Sequence, residues 1–157
     1  MSKTRHRARP RPHAHHHAEG LTEHLDELAL RVETTVGEHV GWSGTNQLVF
    51  VRELSDHSGA DVGLWPIDGD FGDGIMGLVA PAEWDGVGAA TLGWERSMLE
   101  GDRVGERRSR VRCVYLQLRD GSSATVVRRL GDDALVMPGL TEGRIPDLLR
   151  LMLQLPT

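Results

Sequence analysis

The first 18 residues hold five cations (Lys3, Arg5, Arg7, Arg9 and Arg11), five histidines and no acid. The other thirteen cations and all 23 acids follow, a net of −10 over residues 19–157. This segregation decides what can fold. Residues 1–19 show no apolar periodicity and cannot bury enough surface to offset the entropy of ordering them, so a disordered Arg/His-rich arm is expected there. Residues 20–157 then form a single domain, long enough for one core without staples. Cys113 is the only cysteine, which excludes an intrachain disulfide or a cysteine-based zinc site. No run approaches the roughly 18 apolar residues of a membrane span. The basic start leads into a charged helix rather than an apolar leader, so a cytoplasmic protein without membrane contact is expected. A single lysine beside 17 arginines, with 19 glycines, reads as GC-rich coding bias, so the arginine excess says little about phosphate recognition.

Leu21, Leu25, Leu28, Val32, Val36 and Val40 recur at steps of four and three, which predicts a helix capped by Thr22 and stopped at Gly41, with Trp42 folding back toward Val36. Gln47–Glu53 reads as a strand. Residues 56–74, rich in aspartate and glycine, read as a long mobile loop. Ile75–Ala80 and Gly86–Glu95 read as strands, with small residues at Gly88, Ala89, Ala90 and Gly93 suited to a closely packed helix. Arg103–Arg110 reads as a charged loop. Val111–Arg119 and Ser122–Leu130 flank Asp120-Gly121, the dipeptide of a two-residue hairpin turn. That turn would set Leu118 opposite Ser123, Leu116 opposite Thr125 and Val114 opposite Val127, with apolar residues on both faces. Pro146 opens a final helix at its first position, and Pro156 stops the apolar run that ends at Leu155. The expected class is α+β: an antiparallel sheet of about five strands with an N-terminal and a C-terminal helix packed on it.

The candidate chemistry is sparse. Gly41-Trp-Ser-Gly-Thr45 departs from a nucleophile elbow at its fifth residue and lies between a helix and a strand, the reverse of the order an elbow needs. Asp68-Gly-Asp-Phe-Gly-Asp-Gly74 fails as a calcium loop, with Asp73 where the turn glycine belongs and Val79 where the bidentate glutamate belongs. His13, His15, His16 and His17 can bind Ni²⁺, Cu²⁺ or Zn²⁺ as any histidine-rich tail does, a chemistry that implies adventitious metal rather than a dedicated centre. The arm could neutralise about five phosphates, with a salt slope near −4.5. The acidic domain behind it repels nucleic acid, so only weak, non-specific contact through the arm is expected. Cys113, mid-strand without an adjacent histidine, reads as an inert thiol, and Trp84 as a lid over the sheet edge. No cofactor is implied.

The segments A-P-A-E-W-D-G-V-G-A-A-T-L-G-W (80–94), R-V-R-C-V-Y-L-Q-L-R-D-G (110–121) and G-R-I-P-D-L-L-R-L-M-L-Q-L-P-T (143–157) resemble a family of uncharacterised proteins from high-GC actinobacteria with no assigned function. The resemblance implies a shared architecture of tryptophan turn, hairpin and terminal helix, and no catalytic residues. This chain departs from it in the Arg/His arm and at Leu151-Met152.

Two functional expectations follow. The first is a cytosolic protein-interaction or regulatory domain that self-associates, because apolar side chains cover about 200° of the C-terminal helix and one sheet occupies only about 100°. Leu151 and Leu155 would make the homodimer contact. The alternative is a small-molecule enzyme with a site between the sheet and loop 56–74, where His57, Asp68, Asp70 and Asp73 would serve as acid and base. A disordered arm carries its own test. Deleting residues 1–19 should move the melting temperature by less than about 1 °C, since the arm contributes no buried area; a loss of several degrees in calorimetry would show that it docks.

Overall fold

The computed structural model describes residues 24–42, 44–53, 59–98, 106–138 and 143–156, with the backbone alone at 94–98, 106–109 and 138. The arm with its histidines, Thr22 and His57 lie outside the described residues. Helix α1 (Leu25–Val40) is built on the expected stripe: Leu25, Ala29, Val32 and Val36 are buried, and Leu28 and Val40 pack beside them. Asp26 and Glu27 stand in its first turn, where the helix dipole favours anions. Gly41, at φ 65°, ends it by donating its N–H to the Gly37 carbonyl.

The strands are β1 (Asn46–Glu53), β2 (Ala60–Ile67), β3 (Gly86–Met98), β4 (Glu106–Leu118), β5 (Ser123–Arg129) and β6 (Leu135–Pro138). They form one antiparallel sheet in the order β2-β1-β3-β4-β5-β6. Helix α1 covers one face. Its core joins Val49, Val51, Ala90, Val114, Leu116, Ala124 and Val126. Helices α2 (Phe71–Ile75) and α3 (Arg144–Met152) cover the other, over Leu48, Val87 and Ala89. The class is therefore α+β with helices on an open antiparallel sheet, as the sequence predicts, with six strands rather than five. Ala89 is where α3 comes close, packed with Leu149 and Met152.

Several local expectations are overturned. Residues 60–67 of the expected loop are edge strand β2. Ala60, Val62 and Leu64 turn to the α1 core, while Asp61, Gly63 and an exposed Trp65 break the apolar alternation on the other face. The segment 75–80 is not a strand. Asp70 caps α2 by accepting the Asp73 N–H at 2.8 Å, and the chain leaves through Met76-Gly77, with Gly77 at φ 79°. Residues 106–110 belong to β4 and pair with 94–98, because ladder pairing is a backbone property that tolerates charge. Pro146 is the third residue of α3, still in the first turn where its missing N–H costs nothing. The helix ends at Met152, before Pro156, where Leu155 N–H bonds back to the Arg150 carbonyl at 2.9 Å around Gln154 at φ 57°.

The hairpin correction has the widest effect. The β4–β5 turn has three residues, Arg119-Asp120-Gly121, closed by Leu118 N–H to the Ser122 carbonyl at 2.9 Å. Leu116 therefore faces Ala124, Val114 faces Val126 and Arg112 faces Arg128, one place from the two-residue register. Because side chains alternate, that single step turns every β5 residue to the opposite face. Gly121 stands at φ 93°, a conformation that an L side chain opposes. Gly121→Ala should lower stability by about 1 kcal/mol, or roughly 2–4 °C in Tm by calorimetry, without changing the fold.

Candidate functional site

The aspartates proposed as acid and base meet an arginine. Arg144, on the first turn of α3, donates to Asp70 at 3.2 Å and to Asp73. Gly72 lies against its guanidinium, where an added Cβ would come within 3.0 Å. Asp70 is occupied a second time as the cap of α2. The pair ties α2 to α3 at the surface, and Asp68 stands exposed nearby. The structure thus gathers Asp70 and Asp73 on a cation. Among the described residues, no group of three His, Cys, Asp or Glu side chains is placed to hold a metal ion. Cys113 is half-buried on β4.

The strongest polar constellation is one the sequence reading missed. Glu33, on the inner face of α1, is wholly buried. Its Oε1 accepts from Arg112 Nε (3.1 Å), Arg112 Nη2 (2.7 Å) and Arg128 Nε (2.8 Å), and its Oε2 accepts from Arg128 Nη2 (3.0 Å). Arg112 is itself buried. Its Nη1 donates to the Gly41 carbonyl at 3.1 Å, and its guanidinium lies 4.5 Å from the centroid of the Trp42 ring. Arg110 donates to the Trp42 carbonyl. Gly37 makes the passage possible, since a Cβ there would sit 2.6 Å from Arg112 Nη2. Trp42 thus serves as a platform for Arg112.

Burial pushes the Glu33 carboxyl up, but hydrogen bonds from Arg128 and Arg112, together with their charges, outweigh it and hold the group below the ordinary glutamate range. An open notch bounded by Thr34, Glu38, Trp42 and Asp132 lies over this cluster. Both guanidinium groups at its floor already have partners, and Arg128 Nη1 donates to the Asp132 carbonyl at 3.2 Å. The cluster is a clamp fixing α1 to β4 and β5. The sequence signal for it is a charged residue inside an apolar stripe, since Glu33 follows Ala29 by four and precedes Val36 by three. Its partners become visible only with the three-residue turn.

A different surface is left bare. Met76, Leu78 and Val79, in the extended exit from α2, are 58, 45 and 62 % exposed, and Leu151 on α3 is 55 % exposed. The Ala80 N–H donates to the Met152 carbonyl at 2.9 Å, so this exit runs beside the C-terminal turn of α3. Arg144, which reaches α2, and Leu151 are seven residues apart and share a helix face, so Leu151 looks over the same side. Leu155, expected at an interface with Leu151, instead packs half-buried against the core under α3. Ile67, Phe71 and Ile75 share one buried cluster with Leu149, Met152 and Leu153. No helix among the described residues is long and apolar enough to cross a membrane. Comparison with protein-family models, curated proteins and solved structures finds no match.

The clamp yields a test with a sign. Glu33→Ala leaves the buried Arg112 and the half-buried Arg128 without their anion and should cost about 3–5 kcal/mol in urea unfolding at pH 7. The folded-state pKa lies below the unfolded one, so this stabilisation is fully present above the unfolded value of about 4.3 and is lost as pH falls through the folded value. The gap between wild type and Glu33→Gln should therefore narrow from about pH 5 towards pH 2. Equal stabilities at pH 7 would remove the clamp from the account of the fold.

Proposed function

We propose that this chain is a cytosolic interaction or regulatory domain that works by docking rather than by chemistry. One contrast carries the reading. The prominent polar side chains are committed to structure: Glu33 to Arg112 and Arg128, Asp70 and Asp73 to Arg144, Asp61 to Arg52 at 2.6 Å, and Arg119 to the carbonyls of Ala80, Pro81 and Trp84. The apolar side chains of Met76, Leu78, Val79 and Leu151, by contrast, are exposed to solvent. A water-facing apolar patch between two elements is a contact surface in search of a partner. The enzyme alternative has less support, because the segment that would roof its pocket is an edge strand and a helix, and two of its carboxylates are engaged by Arg144.

A thermal-shift screen of the full chain against Mg²⁺, Ca²⁺, Mn²⁺, Zn²⁺, nucleotides and common carboxylic acids separates the two. No saturable shift beyond what the histidine arm gives with Zn²⁺ is expected. A saturable rise of several degrees that Asp70→Asn abolishes would overturn the docking reading. Asparagine caps helices as well as aspartate does, so that variant keeps α2 intact.

A further inference from the structure

We draw no further inference here: the strongest candidate, the β2 margin of the sheet with its exposed Trp65, carries nothing, because nothing in the structure shows what covers it.

Discussion

A carboxylate sealed from water and held by two guanidinium groups is the constraint around which the α1 half of the molecule is organised. An apolar helix stripe on a sheet has many nearly equivalent positions, because Val, Leu and Ala contacts are non-directional. Glu33 removes the degeneracy. Sliding α1 by one turn, about 5.4 Å, would bury a charge without its partners at a cost of several kcal/mol. The clamp need not add net stability to be decisive, since replacing a whole buried triad by apolar groups is often neutral or better. What it supplies is a single answer to where the helix lies. It reaches further through Arg112, which also holds the Gly41 carbonyl and lies on Trp42, so the exit from α1 toward β1 is fixed by the same side chain.

The two faces of the sheet are assembled by different means. On the α1 face, long side chains from β4 and β5 reach up to the helix. On the other face, the helix comes down. Ala89 and Val87 leave room for Leu149 and Met152, and the chain is stitched by the Ala80 to Met152 backbone bond and by Arg144 reaching over α2. The first face is closed by chemistry specific to three residues. The second is closed by shape, with Met76, Leu78, Val79 and Leu151 left exposed.

What was legible in the sequence follows from this division. Elements set by local periodicity could be read: the Leu25–Val36 stripe of α1, the Gly41 stop, the Leu48–Val51 core of β1 and the apolar final helix. Elements set by pairing could not. Strand β2 has one apolar face and one interrupted by Asp61 and Gly63, so its period-2 signal is too weak to separate from a loop, and only its partner β1 makes it a strand. Helix α2 is five residues long, below the length at which periodicity is visible, and is nucleated by the Asp70 cap. The clamp was hidden for a third reason. Asp-Gly fits a two-residue turn as well as the last two places of a three-residue one, and the wrong choice sends Arg128 to the far side of the sheet. Asp70 and Asp73 are close in the sequence, but nothing in it shows Arg144, 71 residues from Asp73, joining them.

The β4–β5 turn carries a consequence for how such a chain can diverge. Exposed hairpin loops are ordinarily where insertions and deletions accumulate at little cost, and Arg119-Asp120-Gly121 has every outward mark of one. Here the loop length is a phase. Adding or removing a single residue would rotate β5 by half a period, carry Val126 out of the core and withdraw Arg128 from a carboxylate that has no water to turn to. Point substitutions can drift through this turn, glycine apart, while its length stays locked to a helix nearly ninety residues earlier in the chain.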